Sequence, residues 1–253
     1  MTIRNRPEDQ PLVSCIMPTA DRHKFVPHAI RYFLRQDYSN KELVIIDDGN
    51  DDIAELIPVD PRIRYIRLTQ KQPVGTKRNL ACEAARGELI AHWDDDDWMS
   101  PRRLSYQVGA LIQAEGEVCG LQRMLFYQMS TGNAWLYMLP SYLGKWLIGG
   151  SLVYTRDFWR GGPFPPLRIG SDTKFISEHS LKNAVYVSDI SIYVAIAHFE
   201  NTCLHSFRGS SWMMWSGDLA GIMGDDLKLY PPVFRWKRSK GPVLDRTLDR
   251  DVE

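Results

Sequence analysis

The 253-residue sequence predicts an α/β fold in which a mostly parallel sheet carries helices on both faces. Three observations predict this fold class. Short apolar runs alternate with helix-like patterns through the first half of the chain. These runs are almost continuously apolar, as strands covered on both faces are. Polar clusters directly follow several of the runs, and ligands of such sheets bind beyond the carboxyl ends of the strands.

The first half contains four predicted strands and three predicted helices. The strands are short, largely apolar runs, and they occupy 12–17, 43–47, 63–68 and 88–93. Apolar residues recur at helical spacing in 25–34, in 75–87 and from the Ser100–Pro101 pair to Ile112. The repeated order of strand, helix and strand indicates crossovers between parallel strands.

The second half is less regular. Strands are predicted over 120–129 and 147–154, a helix from Asp172, and two short strands within 184–198. The periodicity fades after about residue 206, where a segment rich in Trp and Met precedes a charged tail. Because no internal repeat and no Ser/Gly linker divides the chain, the sequence predicts one globular unit with a C-terminal extension.

Composition and charge exclude several classes of protein. Since 31 Lys and Arg balance 31 Asp and Glu, the chain lacks the overall positive charge typical of nucleic-acid-binding proteins. No apolar run reaches the ~20 residues of a membrane helix, and the N-terminus lacks the apolar core of a signal peptide. The four cysteines form no CxxC pair, which predicts reduced thiols in a cytoplasmic protein. They are Cys15, Cys82, Cys119 and Cys203.

The strongest chemical feature is a run of four aspartates, 94–97, directly after the strand 88–93. Adjacent carboxylates repel one another unless a cation neutralises them. Hard oxygen ligands select Mg²⁺, Mn²⁺ or Ca²⁺. The alternative is a solvated acidic loop, but the position between Trp93 and Trp98 at the end of a strand favours a metal site.

Two further polar groups follow other strands. Asp47 and Asp48 end the strand 43–47, where a carboxylate can accept a hydrogen bond from a base or a ribose hydroxyl; the alternative is an Asp-Gly turn. The segment 75–79, GTKRN, opens a helix with cationic side chains and free backbone N–H groups, which suit a phosphate.

The order and spacing of these motifs resemble those of the inverting family-2 glycosyltransferases, which have the Rossmann-like GT-A fold. The motifs are PTxxR at 18–22, LVIIDDG at 43–49, GTKRNLACEAARGE at 75–88, HWDDDDW at 92–98, GGSLVYTRDFW at 149–159, GSDTKF at 170–175 and AHFENT at 197–202. The resemblance spans residues 12–205. It implies a nucleotide-sugar donor, with a UDP-sugar favoured, Mn²⁺ or Mg²⁺ at a DxD motif, and single displacement with inversion.

The resemblance assigns residues to the nucleotide. Thr19 and Arg22 are expected to line its pocket. Asp47 is expected to meet the base, with Asp48 as the alternative. The residues expected near the ribose and the diphosphate are Lys77, Arg78 and Asn79.

The resemblance also assigns the metal and the donor sugar. Asp94 is expected to contact the ribose or the metal and Asp96 to bind the metal, while the extra acid at Asp95 leaves this register open by one residue. Gly149 and Gly150 match a backbone region that approaches the donor sugar closely, as glycine permits.

The catalytic base implied by the resemblance is Asp172, although Ser171 replaces the Glu that usually precedes it. The alternative is that Asp172 caps its helix. His198, ranked before His205, is expected to complete the metal shell, and Trp146 is expected to stack on an acceptor sugar.

These assignments divide the chain into a GT-A domain over 1–205 and an extension over 206–253. The domain comprises a nucleotide half over about 12–100 and an acceptor half over about 101–205. Within the extension, residues 206–224 are expected to form either a lid over bound donor or a packed helical segment, as equal alternatives, and a charged tail follows.

Two other functions remain open at this point. One is a sugar nucleotidyltransferase, which would normally carry a Gly-rich phosphate loop after its first strand. The other is a non-catalytic homologue that holds a nucleotide or Ca²⁺. For the favoured transferase the acceptor is an unidentified glycan, lipid-linked or small-molecule hydroxyl compound, with no nucleic acid or transmembrane segment expected.

Overall fold

The computed structural model describes residues 10–139, 144, 146–203 and 205–232. The remainder of the predicted extension, beyond residue 232, lies outside the described residues.

The elements of the first half follow the predicted order. They are β1 (Val13–Thr19), α1 (Val26–Leu34), β2 (Lys41–Asp47), β3 (Ile63–Arg67), α2 (Val74–Ala84), β4 (Leu89–His92), β5 (Trp98–Met99) and α3 (Arg103–Gln113). Helix α3 begins two residues later than the Ser100–Pro101 pair predicts, because residues 101–102 form a turn.

The elements of the second half are shorter. They are β6 (Val118–Leu121), β7 (Arg123–Gln128), β8 (Asn133–Met138), β9 (Val153–Thr155), α4 (Arg156–Arg160), α5 (Ser171–Glu178), β10 (Ala184–Val187), β11 (Tyr193–Ala197), β12 (Trp212–Met214) and α6 (Leu219–Met223).

Seven strands form the main sheet, in the order β10-β6-β9-β4-β1-β2-β3. Every neighbouring pair in it is parallel except the two pairs made by β9. The chain runs outward from β1 through β2 to β3 and then returns to place β4 on the other side of β1. This reversal creates a switch point between β1 and β4, where ligands of open α/β sheets bind.

Helices cover both faces of this sheet, as predicted. In β1, Cys15 and Met17 face the apolar cluster that contains α1 and α3, while Ile16 faces the cluster that contains α2, α4 and α5. Because alternate residues of a strand point to opposite faces, a strand buried on both sides is apolar throughout. This explains the continuous apolar runs in the sequence.

The single strand predicted over 120–129 is wrong. The chain bends at Gln122, so that β6 joins the main sheet and β7 joins a second sheet of five strands, β12-β8-β7-β11-β5. β6 is buried throughout and β7 is largely buried after Arg123, so hydrophobicity alone did not reveal the bend.

The single strand predicted over 147–154 is also interrupted. Gly149–Ser151 form a 3₁₀ turn, and only Val153–Thr155 pair in the sheet. The Ser151 hydroxyl closes the turn by donating to the Ile148 carbonyl at 2.7 Å.

The described part of the extension packs against the rest of the chain. Strand β12 pairs with β8, and α6 places Leu219 and Met223 in the same apolar cluster as α1. After α6, the nearly buried Asp226 carboxylate pairs with Arg31 and Arg35 of α1 and accepts a hydrogen bond from the Trp98 indole at 2.8 Å. In this structure the described part of the extension is a packed segment, and the lid over bound donor stays a prediction.

No helix among the described residues is long and apolar enough to cross a membrane.

The contacts of Asp226 predict that its loss lowers the free energy of unfolding, and the adjacent Asp225 provides a control variant. Asp226→Ala leaves the buried Trp98 N–H and the Arg35 guanidinium without their partner, which costs about 2 kcal/mol of the free energy of unfolding. Asp225→Ala removes only an exposed pair with Lys228 and leaves that free energy unchanged. Urea unfolding of both variants measures this, and equal midpoints would contradict the role of Asp226.

Candidate functional site

A cleft of about 660 Å³ lies at the carboxyl ends of β1 and β4, at the switch point of the main sheet. Most of the residues that the sequence singled out line it. These are Thr19, Arg22, Lys77, Arg78, Asp94, Asp95, Asp96, Trp146, Gly149, Gly150, Asp172 and His205. The structure therefore brings these residues together at one cleft.

The four aspartates after β4 have different partners. Asp95 turns toward β1, where the Thr19 hydroxyl donates to it at 2.5 Å and the Arg22 Nε lies 3.9 Å away. Asp97 turns toward β11, where it accepts hydrogen bonds from the Tyr193 hydroxyl and, at 2.8 Å, from the Ile196 N–H. These two side chains join β1 and the second sheet to the end of β4.

Asp96 lies beside a histidine and an amide. Its Oδ2 is 3.1 Å from the His198 Nε2 and accepts a hydrogen bond from the Asn201 Nδ2 at 3.1 Å. An Arg22 nitrogen lies 3.7 Å from the same oxygen. The Phe25 ring stacks on the His198 ring at 4.3 Å, which fixes the imidazole edge toward the carboxylate.

Asp94 is the most exposed of the four, with 26% of its side chain accessible. The Tyr193 hydroxyl donates to it at 3.2 Å, and an Arg78 nitrogen lies 3.5 Å away. Beneath it, the fully buried Arg103 donates to the Gly150 carbonyl at 3.0 Å and stacks 4.7 Å from the centre of the Tyr193 ring. A buried cation thus lies under the acidic run.

The pKa values of the four aspartates shift in different directions: three are raised and one is lowered. Burial, with repulsion from Asp96, raises the pKa of Asp95 to about 8. The pKa values of Asp94 and Asp97 are also raised, chiefly by burial. Burial opposes ionisation of Asp96 as well, but the hydrogen bond and charge of His198, with Arg22 and Asn201, hold its pKa below the usual value. Asp96 is therefore the carboxylate of the run that the protein itself stabilises as an anion.

The glycine pair allows the opposite wall to approach closely. A Cβ on Gly149 would lie 1.9 Å from the Asp172 Oδ2, and one on Gly150 would lie 2.8 Å from the Asp94 Oδ2. Asp172 stands in the first turn of α5, after the left-handed Gly170. Its Oδ1 accepts from the Thr173 N–H, whereas its Oδ2 accepts no hydrogen bond from another described residue.

Arg78 joins the two walls of the cleft. It donates to the Ser171 hydroxyl at 2.9 Å and pairs with Asp94, so that the helix carrying Asp172 is tied to the acidic run. Ser171, in the place of the family's usual Glu, is thus the contact that positions Arg78. The charges of Asp172 and Asp94 raise the pKa of Arg78 against the opposing effect of burial.

Three predicted nucleotide ligands, Asp47, Asp48 and Asn79, are not among the described residues that line the cleft. Asp47 is occupied by the Gly49 N–H, the Tyr65 hydroxyl and Arg67. Asp48 pairs with Lys77 at 2.7 Å and accepts from the Gln72 N–H.

Asn79 holds the segment before α5. Its amide donates to the Phe164 carbonyl at 2.8 Å and accepts from the Phe164 N–H and the Trp159 indole. In this structure Asn79 and the Asp47–Asp48 pair therefore maintain the loops around the cleft.

The two histidines expected at the metal, His198 and His205, lie in different surroundings. His198 contacts Asp96, whereas His205 packs against the rings of Phe126 at 4.9 Å and Trp212 at 5.5 Å. Cys203, the one exposed cysteine of the four free cysteines, also lines the cleft.

Four residues of the site carried too weak a sequence signal to be assigned. They are Arg103, Tyr193, Asn201 and the exposed Arg168, which lines the cleft near Asp172. Asn201 lies within the AHFENT string and Arg168 shortly before the GSDTKF string, so their position beside a motif was the available signal. Arg103 and Tyr193 lie within ordinary helix and strand patterns.

The residues present fit a divalent ion only with help from a ligand. No group of three or more His, Cys, Asp or Glu side chains among the described residues is arranged to hold a metal. The Asp96 Oδ2 and the His198 Nε2, however, are 3.1 Å apart. Two atoms that each lie about 2.1 Å from one octahedral ion have about that separation. Mg²⁺ and Mn²⁺ commonly take their other ligands from water and substrate phosphates, so this pair fits such an ion.

Comparison with known proteins identifies the family. Residues 14–167, more than half of the chain, match the model of the family described as glycosyl transferase family 2. The chain belongs to this family, as the motifs predicted.

The chain spans less than half the length of each of two curated relatives that it matches. Over 103 residues it is 41% identical to WcaA of Escherichia coli K12, described as a putative colanic acid biosynthesis glycosyl transferase; the match covers 39% of this chain and 37% of WcaA. Over 110 residues it is 32% identical to an uncharacterized glycosyltransferase of Haemophilus influenzae, covering 42% of this chain and 44% of that protein.

Solved structures with a similar fold include Staphylococcus aureus TarS in complex with UDP-GlcNAc. It has a TM-score of 0.63 and 19% identity, over 76% of this chain and 60% of that chain. The Pyrobaculum calidifontis mannosyltransferase PcManGT, in complex with GDP-Man and Mn²⁺, has a TM-score of 0.55 and 17% identity, over 75% of this chain and 57% of that chain. The predicted GT-A-type fold is confirmed.

The adjacent residues Asp95 and Asp96 are expected to affect stability in opposite directions. Because the pKa of Asp95 is raised to about 8, the folded protein keeps a proton there that the unfolded chain releases above pH ~4. Stability is therefore lost as the pH rises from about 4 to about 8. Asp95→Asn removes this loss and stabilises the metal-free protein most at pH 8, where the loss is nearly complete.

Asp96→Asn has the opposite sign. The lowered pKa of Asp96 means that its anion contributes stability above the unfolded value of ~4, and this contribution is lost as the pH falls through the folded value. The variant is therefore less stable than the wild type at pH 7, and the difference shrinks in acid. Urea unfolding in EDTA, from pH 8 down to below pH ~4, measures both effects. Stabilisation by both substitutions at pH 8 would contradict the assignment.

Proposed function

We propose, from the family and from the geometry of the cleft, that this chain is a glycosyltransferase. It moves a sugar from a nucleotide-diphosphate donor to a hydroxyl acceptor by a single displacement that inverts the anomeric carbon. The observation that carries the proposal is the Asp172 carboxylate. It lines the cleft with one oxygen that no described residue hydrogen-bonds, and it is tied through Ser171 and Arg78 to Asp94.

The donor is held by the charged wall of the cleft, by which we mean the aspartates 94–97 and the arginine side chains that line the cleft. Three guanidinium groups, those of Arg22, Arg78 and Arg168, line it and suit a diphosphate. A UDP-sugar is the favoured donor, in keeping with the likeness of the fold to TarS in complex with UDP-GlcNAc. The likeness to a mannosyltransferase in complex with GDP-Man keeps a guanine nucleotide as the alternative.

Asp96 and His198 would hold Mn²⁺ or Mg²⁺, with Asp94 or Asp95 as a further ligand and the diphosphate completing the shell. When bound, such an ion neutralises the diphosphate and stabilises it as a leaving group. The DxD motif is then formed by Asp94 and Asp96. The low pKa of Asp96 keeps this carboxylate ionised and available over the neutral range.

Asp172 is the general base of the reaction. Its Oδ2 accepts the proton of the acceptor hydroxyl while the acceptor oxygen forms a bond to the anomeric carbon and the bond from that carbon to the diphosphate breaks. Gly149 lets the Asp172 carboxylate pack directly against the backbone of the turn, because a Cβ there would lie 1.9 Å from this oxygen.

Asp172→Asn tests the base and keeps the shape of the side chain. It is expected to lower sugar transfer by about 10²–10⁴-fold. UDP or GDP with Mn²⁺ is still expected to stabilise the variant in thermal unfolding, because the charged wall of the cleft is unchanged.

The matched control is Asp157→Asn. Asp157 also lies in the first turn of a short helix, but it is 87% exposed and pairs with Arg160, away from the cleft. Its loss leaves transfer unchanged. A variant Asp172→Asn that transfers sugar at the wild-type rate would show that Asp172 only caps α5 and that the base lies elsewhere.

His198→Ala tests the metal pair. We expect it to weaken Mn²⁺ binding about tenfold or more, as read from the Mn²⁺ electron paramagnetic resonance signal in the presence of UDP. His23→Ala is the control, because His23 also faces an aspartate, Asp51, at 3.2 Å but in an exposed place. Equal Mn²⁺ affinity of the two variants would contradict the role of His198.

Thermal unfolding with other ligands distinguishes the proposed transferase from the two alternative functions. Stabilisation by a nucleoside triphosphate and not by a nucleotide sugar would favour a sugar nucleotidyltransferase. Stabilisation by Ca²⁺ alone would favour a non-catalytic homologue. The cytoplasmic location stays a prediction from the sequence.

A further inference from the structure

The wall of the cleft formed by the second sheet is aromatic and uncharged. Strand register places Met124 of β7 opposite Tyr137 of β8, and Tyr137 opposite Trp212 of β12. Phe126, two residues after Met124, faces the same side of the sheet. All four side chains line the cleft. We call these four residues the aromatic wall.

The rings of the aromatic wall support one another. The Trp212 ring lies 4.7 Å from that of Tyr137 and 4.8 Å from that of Phe126, and Phe126 is buried beneath them. The Phe207 ring packs against Trp212 at 4.8 Å from another side. Trp212 is therefore a rigid, partly exposed surface, and the indole N–H makes no hydrogen bond to another described residue.

The aromatic wall adjoins the charged wall. Phe126 pairs in register with Ala195 of β11, which also lines the cleft, and the next residue, Ile196, donates to Asp97. The two walls thus belong to one cleft and meet along β11. A molecule on the aromatic wall lies beside the donor and not in a separate site.

Neutral polar groups border the aromatic wall. The His205 imidazole packs against Phe126 and Trp212. The exposed Thr202 and Ser206 hydroxyls line the same cleft, and neither forms a hydrogen bond with another described residue. An alkyl chain has no donors or acceptors that could form hydrogen bonds with these groups. A pyranose has both kinds of surface, because its C–H bonds present an apolar face that aromatic rings attract and its hydroxyls need donors and acceptors around the edge.

We infer that the aromatic wall is the acceptor site and that the acceptor is a carbohydrate whose pyranose ring stacks on Trp212. The inference rests on the proposed function for the position of the donor. It adds the chemical class of the acceptor and a residue that selects it. Trp212 lies outside residues 14–167, the part of the chain that matches the family model.

The test uses the full chain with UDP or GDP and Mn²⁺, and measures saturation-transfer NMR on methyl glucopyranoside, methyl galactopyranoside, methyl mannopyranoside and 1-hexanol. At least one methyl glycoside is expected to bind, with the strongest transfer to the C–H protons of one ring face. Trp212→Ala is expected to weaken this binding about tenfold, the equivalent of about 1.4 kcal/mol of stacking.

Two variants separate stacking from folding. Trp212→Phe keeps an aromatic face and retains binding to within about threefold. Met213→Ala changes the neighbouring residue of β12, which points away from the cleft and is 49% exposed, and leaves binding unchanged. Wild-type glycoside binding by Trp212→Ala would overturn the inference.

Nucleotide binding is measured separately by thermal unfolding, so the two proposals fail in different ways. If a nucleotide stabilises the protein and no glycoside binds, or only 1-hexanol binds, the carbohydrate inference is wrong and the proposed transferase stands. If no nucleotide stabilises the protein, the proposed function itself is overturned.

Discussion

Four consecutive carboxylates at the end of a buried strand are the constraint on which the rest of the cleft depends. Charges of one sign cannot share a partly shielded space unless each is neutralised or protonated. Neighbouring elements therefore supply partners to all four carboxylates. Arg22 lies near Asp95 and Asp96, Tyr193 near Asp94 and Asp97. Arg78 adds a charge beside Asp94, and His198 lies beside Asp96. The acidic run holds the loops and both sheets in place because each of them is needed to neutralise it.

The buried Arg103 also offsets part of the negative charge of the acidic run, although it forms no ion pair with it. Its guanidinium is inaccessible to solvent and bonds to Gln107 and the Gly150 carbonyl, and no carboxylate of the described residues pairs with it directly. Burial lowers its pKa, but it interacts with Asp94 and Asp97 across a short distance. A cation that α3 places below the site thus offsets negative charge on the surface above, and through Gly150 it also fixes the turn that faces the donor.

The parallel sheet and most of the cleft could be predicted because both leave local signals. The centre of β2, residues 43–46, is continuously apolar since both faces are covered, and polar residues that follow such strands must meet at one edge. The bend at Gln122, the role of Arg103 and the pairing of Asp47 with Arg67 could not be predicted in this way. Each depends on which distant residue occupies the neighbouring space, and a single sequence does not specify that.

The distribution of the thiols has a practical consequence. Cys15, Cys82 and Cys119 are sealed in the interior, where burial raises the pKa of each thiol to about 12, whereas Cys203 stands exposed at the cleft. Since thiolates and not thiols react with alkylating reagents, the three interior cysteines are inert in the folded state. The natural chain therefore carries one addressable attachment point for a maleimide fluorophore or spin label, at the mouth of its cleft, with no cysteine to remove.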